Sequence, residues 1–238
     1  MIPANVTKLG NNVFTNCTSL ETVTFEEGSQ LATLGNSVFS ESGLVSIVLP
    51  KGITKLPSST FSGCVNLSSV SFLGDLTRIE SSVFLGCTSL ESIELPDTLE
   101  YLGATSFKQS GLKSVYIPAS VTSSNSSVFE GCEQLESIVF AEGVDMIGSS
   151  MFKNCINLKS VKLSSTTENI YSSAFEGCTS IKQLFIPITV TSVSSKAFLG
   201  WTAEQTLLMQ GDKASCAAWT STWDEGCDAV IVYEAKAE

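Results

Sequence analysis

The sequence predicts a β-rich repeat solenoid in a right-handed coil. A parallel sheet should form one wall, with short helices or 3-10 turns on the other. Three observations carry this. A phenylalanine recurs at positions 14, 39, 61, 84, 107, 129, 152, 175 and 198, at intervals of 22 to 25 residues. A strand-like motif, L-x-x-V/I-x-L/F, keeps step with it. A cysteine or serine stands three places after almost every phenylalanine. Repetition at such a period marks stacked coils that share one core.

The phenylalanine column sets the frame, and the residue three places on follows as Cys17, Ser42, Cys64, Cys87, Ser110, Cys132, Cys155 and Cys178. The strand copies begin at Leu20, Leu44, Leu67, Leu90, Leu112, Leu135, Leu158 and Ile181. Their last three apolar positions alternate with polar ones, as in a strand with one buried face. Pro50, Pro96, Pro118 and Pro187 end strands, and pairs such as Ile53 with Leu56 or Leu76 with Ile79 lead back toward the next phenylalanine. At a ladder spacing of ~4.8 Å, about nine coils give a rod roughly 40 Å long. The stretch around each phenylalanine, such as SSVFLGC, is expected to enter a short helix or 3-10 turn. Two units, FSESGL (from Phe39) and FKQSGL (from Phe107), lack the cysteine and run one residue shorter before the strand.

The motif A/V-F-x-x-C-x-x-L-x-x-V/I-x-L/F-P is clearest in VFLGCTSLESIELP, Val83 to Pro96. It resembles the BspA-like leucine-rich repeats, units of about 23 residues found in bacterial surface proteins and in some protists. The resemblance covers roughly residues 3 to 200. It implies a leucine-rich-repeat superhelix, surface display or secretion, and adhesion or ligand binding. It supplies no catalytic residues. The expected division is residues 1–200 as the solenoid and 201–238 as a C-terminal cap. Residues 200–211 read as one more strand-like coil. Cys216, Trp219, Trp223, Cys227 and the run Ala229 to Tyr233 should close the end, because an open coil would expose core and strand edges.

Composition narrows the chemistry. The 238 residues carry 43% hydrophobic side chains, no histidine and a net charge of −11. That charge disfavours nucleic acid, whose phosphates need neutralising Lys and Arg. No apolar run is long enough for a membrane-spanning helix, so no membrane insertion is expected. The N-terminus, MIPANVTKLG, lacks a charged segment followed by an apolar one and reads as the middle of a repeat. Location is therefore not legible in the chain itself.

The repeat cysteines invite a metal or redox reading. Their intervals of 47, 23, 45, 23 and 23 residues are repeat spacings rather than paired-ligand spacings. Buried cysteine packs as a small apolar residue, so neither metal nor cofactor is expected. Cys216 and Cys227 lie outside the column and are candidates for a disulfide in an oxidising compartment. Nucleophilic catalysis has no histidine base and no Gly-x-Ser-x-Gly elbow to use. Ser46, Ser69, Ser92, Ser114, Ser137 and Ser160 read as a hydroxyl ladder, and Glu91 with Glu94 lacks any inferable pocket. An enzyme is not expected.

Strand alternation places a set of side chains on the outer face of the sheet. Tyr116, Val139 and Phe185 are large apolar groups there. Lys113, Lys159, Lys162 and Lys182 gather in the later strands of an otherwise acidic chain. These seven residues are the candidate contact surface for a protein or glycan ligand, such as a host or matrix component, with the chain acting as a monomer. Ordinary cross-strand packing is the plainer account of any single one of them. The sequence therefore favours a secreted or cell-surface binding module. An intracellular interaction scaffold and a structural spacer remain as alternatives. Asn5, Asn16, Asn66 and Asn125 begin N-x-S/T sequons, which matter only in a eukaryotic secretory pathway.

Overall fold

The computed structural model describes residues 1–216 and 219–236. Leu, Val, Ile and Phe recur at matching points of every repeat, so successive coils stack with their apolar sides inward. Fifteen strands follow in chain order: β1 (Ser46–Leu49), β2 (Lys55–Leu56), β3 (Ser69–Phe72), β4 (Arg78–Ile79), β5 (Tyr101–Leu102), β6 (Ser114–Ile117), β7 (Ser123–Ser124), β8 (Ser137–Phe140), β9 (Met146–Ile147), β10 (Ser160–Lys162), β11 (Asn169–Ile170), β12 (Gln183–Ile186), β13 (Ser192–Val193), β14 (Thr206–Met209) and β15 (Val230–Val232). The longer strands make one wall, paired in parallel as β1–β3, β6–β8–β10 and β12–β14–β15. The two-residue strands make a second wall, β2–β4–β5–β7 and β9–β11–β13. Each pairing joins equivalent residues of successive coils, as in Ser114 with Ser137 and Tyr101 with Ser123. The N-terminal coils join by isolated parallel bridges, Ile2 to Phe25, Lys8 to Thr33 and Thr22 to Ser46.

The alternation read from the sequence holds on the long wall. In β1, Ile47 and Leu49 are buried while Ser46 and Val48 face water. In β6, Val115 and Ile117 are buried while Ser114 and Tyr116 are exposed.

The third wall corrects the expectation of short helices. It is made of turns centred on the phenylalanines. Among the described residues the one helical segment is a four-residue 3-10 turn, Lys213–Cys216, near the C-terminus. The reason lies in the backbone. The residue two before each phenylalanine is left-handed, from Asn12 (φ 58°) through Ser59 (φ 59°) and Ser127 (φ 60°) to Lys196 (φ 59°). The residue two after is left-handed too, as in Asn16 (φ 59°), Gln109 (φ 57°) and Gly177 (φ 73°). A helix cannot propagate through a left-handed residue every fourth position. Each turn keeps a local bond, such as Cys64 N–H to the Phe61 carbonyl at 3.0 Å. Its alternate N–H groups donate onward to the next coil. Ser59 donates to Ser81 at 2.9 Å, Phe61 to Val83 at 2.9 Å and Gly63 to Leu85 at 2.8 Å. Backbone groups that a helix would satisfy internally are thus satisfied between coils.

Inside, the nine phenylalanine rings form one continuous stack. Neighbouring centroids lie 5.1–5.8 Å apart with ring planes within 19° of parallel. Of these nine, Phe39 through Phe198 are fully buried and Phe14 is half-buried. The two shortened coils have a steric explanation. A Cβ on Gly43 would collide with the carbonyl oxygen of Thr18, and one on Gly111 with that of Thr88. The missing residue draws the backbone onto the coil below, where only glycine fits.

Parallel pairing continues past residue 200. β14 pairs with β12 and β15 with β14, so the C-terminal segment prolongs the long wall. Trp201 stands three places after Phe198, where other coils carry cysteine. Trp223 lies edge-on to Phe198 at 6.2 Å, and Trp219 edge-on to Trp223 at 5.0 Å. These indoles cover the last ring of the stack.

Candidate ligand-binding wall

The long strands align their outward side chains in rows. One row is hydroxyl-rich, with Ser46 beside Ser69 and Ser114 beside Ser137 and Ser160. The next row changes character along the rod. It is Val48 beside Ser71 in the N-terminal half. Further on it becomes Tyr116 beside Val139 beside Lys162, then Phe185 beside Leu208 beside Val232. Tyr116 is 54% exposed and Val232 42%; Val139, Phe185 and Leu208 are half-buried by their neighbours. The fold therefore brings Tyr116, Val139 and Lys162 into one row and begins a second row, in the next sheet of the same wall, with Phe185. It extends that row by Leu208 and Val232, which sequence reasoning missed. The signal was present in the alternation of TLLM and AVIVY, but both lie beyond the last regular repeat.

The lysines divide into two kinds. Lys113, Lys159 and Lys182 stand in the row before the hydroxyls, and each meets a carboxylate of an adjacent coil. The pairs are Lys113–Glu91 at 2.7 Å, Lys159–Glu136 at 3.3 Å and Lys182–Glu204 at 2.9 Å. All six side chains are more than half exposed, so each pair contributes little to stability. Lys162 has no such partner among the described residues. Glu142 nearby is held by Ser165, whose N–H and hydroxyl donate to it, and by the Ser164 hydroxyl. These hydrogen bonds, Ser165 foremost, together with the nearby Lys162 charge keep its carboxyl below the usual range.

The cysteine column is a structural ladder. Each thiol donates to the carbonyl of the phenylalanine one coil back: Cys64 to Phe39 at 2.9 Å, Cys87 to Phe61 at 3.1 Å, Cys132 to Phe107 at 2.9 Å, Cys155 to Phe129 at 3.0 Å and Cys178 to Phe152 at 3.0 Å. The Trp201 indole N–H makes the same bond to Phe175 at 3.0 Å. In the shortened coils Ser42 and Ser110 take the cysteine's place and meet Cys64 and Cys132 at 3.4 and 3.3 Å. Burial pushes the Cys132 thiol up to about 11 and those of Cys87 and Cys155 well above their ordinary value. Thiols held protonated in this way are poor nucleophiles. Cys216 and Cys227 are half-buried free thiols here, and the pairing expected from the sequence is not formed in this structure. Among the described residues no group of three or more acidic or cysteine side chains is arranged to hold a metal, and no helix is long and apolar enough to cross a membrane.

Comparison with known proteins agrees with this architecture. A protein-family model described as a BspA type leucine rich repeat region matches in six copies, over residues 1–113 and 77–205. Among solved structures, a leucine-rich repeat protein from Bacteroides ovatus is 21% identical with a TM-score of 0.63, covering 97% of this chain and 76% of its own. The leucine rich repeat protein of T. pallidum is 25% identical with a TM-score of 0.57, covering 74% and 72%. The pneumococcal vaccine antigen PcpA is 18% identical with a TM-score of 0.53, covering 97% and 78%. A search of curated proteins finds no significant match.

Proposed function

The chain belongs to the BspA-type leucine-rich-repeat family, and on that basis we propose that it is a non-enzymatic binding module of the cell surface or secreted space, engaging a protein or glycan through its long-strand wall. The family is of the surface and adhesion type, and its repeat scaffold is a platform whose function resides in side chains on its faces. One observation carries the reading. The rows Tyr116–Val139–Lys162 and Phe185–Leu208–Val232 set apolar groups and a lysine on a face that is rich in hydroxyls elsewhere. Aromatic anchors ringed by polar groups are what interface centres are made of. The buried thiols support a structural rather than a catalytic role for the core.

The test is a screen of the folded protein against matrix proteins and glycans, repeated with Tyr116→Ser, Lys162→Glu and Phe185→Ser combined. A ligand whose binding falls at least about tenfold in the variant, with the melting temperature unchanged, supports the wall. Equal binding by both proteins removes it.

A further inference from the structure

The long wall is interrupted, and one interruption has the makings of a ligand groove. β10 and β12 belong to consecutive coils but to separate sheets. At this break Val161, an inward residue, is only partly buried, whereas Ile47, Val115, Ile138 and Leu184 at the same position of other strands are buried. A groove of about 490 Å³ opens there, lined by Lys162, Phe185, Leu208, Gln183, Gln210 and Glu142 among others. The other interruption falls at residues 91–96, which form no strand. It opens a groove of about 530 Å³ lined by serines with Glu94 and Asp97, and without a single Lys or Arg. With Lys236 also on its lining, the groove beside β10 holds two lysines against one acid, whereas the charged residues of the other are acids alone.

We propose that the groove between β10 and β12 binds the carboxylated pyranose of an acidic carbohydrate. This deepens, and rests on, the reading of the wall as the binding face. Lys162 is the wall lysine that forms no salt bridge among the described residues; Glu142 feels its charge but is bonded elsewhere, so the ammonium can make a charge-assisted bond to a sugar carboxylate. Glu142, the acid in this groove, is already engaged by Ser164 and Ser165. Phe185 and Leu208 offer an aromatic and an aliphatic surface to the C–H face of a pyranose. Gln210 accepts from the Ile188 N–H at 3.0 Å through Oε1. Its amide NH2 is left as a donor to ring hydroxyls, and Gln183 adds a second side-chain amide. A lone carboxylate would use the lysine alone, whereas a carboxylated pyranose also offers hydroxyls to both amides and a C–H face to Phe185 and Leu208.

Titration calorimetry on the intact protein decides this with two matched pairs: trigalacturonate against neutral galactotriose, and 3′-sialyllactose against lactose. The pairs separate a uronate from a sialate as the source of the carboxylate. The expected result is binding of at least one acidic sugar, weakening with added salt, and no comparable binding of its neutral partner. Lys162→Gln and Phe185→Ala each weaken it about tenfold, while Glu94→Gln in the other groove leaves it unchanged. Equal affinity for acidic and neutral partners overturns the proposal, as does an affinity that Lys162→Gln leaves intact. If neither acidic sugar binds while some other ligand is lost in Tyr116→Ser, the groove assignment fails and the wall as a binding face stands.

Discussion

Phe129→Ala strikes the middle of the ring stack, and its cost follows from what the ring touches. The side chain is fully buried, with Phe107 at 5.4 Å on one side and Phe152 at 5.7 Å on the other. Removing a fully buried phenylalanine costs about 3–5 kcal/mol in lost transfer energy and residual cavity. The upper half of that range applies here, because the rings above and below are held by their own coils and cannot collapse inward. Phe14→Ala is the internal control. Phe14 is half-buried and stacks on one ring, Phe39, at 5.4 Å. Its loss should cost about half as much or less, roughly 1–2 kcal/mol. With a urea slope of about 2–3 kcal/mol/M, Phe129→Ala lowers the midpoint by roughly 1.3–2.5 M. Urea unfolding followed by far-ultraviolet circular dichroism measures both variants. Tryptophan fluorescence reports separately on the C-terminal end, where Trp201, Trp219 and Trp223 reside. A loss below about 1 kcal/mol for Phe129→Ala, or equal losses for the two variants, would refute the stack as the element that couples the coils.

Other expectations follow from the same structure. Gly111→Ala forces a methyl onto the Thr88 carbonyl and should destabilise by at least about 2 kcal/mol, read by thermal melting; full tolerance would show that the shortened coil can relax. Cys132→Val removes the donor to the Phe107 carbonyl and should cost about 1 kcal/mol, whereas Cys132→Ser keeps a donor and should cost less. The Cys132 thiol is raised from an ordinary value of 9.0 to about 11, so the unfolded chain releases that proton first as pH rises. Its contribution is therefore intact below pH 9 and is lost as pH climbs from there through about 11; flat stability across that window would contradict the burial. In native protein at mildly alkaline pH a thiol reagent should label Cys17, Cys216 and Cys227 and spare the five buried cysteines. Secretion through an oxidising compartment should close Cys216 onto Cys227, seen as two hydrogens lost in the intact mass without reductant; two free thiols in the secreted protein would end that pairing.

The periodic part of the architecture could be read directly from the residues. Phe, Leu and Cys at constant spacing can share an interior in one way, by stacking. Alternation within LKSVYI or LESIVF by itself assigns Tyr116 and Val139 to the outer face. The lost cysteine in FSESGL and FKQSGL marked the shortened coils, and their glycines turned out to face a neighbouring carbonyl. The phenylalanine wall suggests short helices or 3-10 turns because an isolated SSVFLGC gives no sign that Ser82 and Gly86 both turn left-handed. That conformation is stable because the neighbouring coils satisfy its N–H groups, which is a property of the stack and not of the segment. The same holds for the interruption beside Lys162, the carboxylate partners of Lys113, Lys159 and Lys182, and the extension of the outer row through Leu208 and Val232. Spacing along a chain dictates which residues align, whereas how closely adjacent coils approach depends on contacts made across the whole rod.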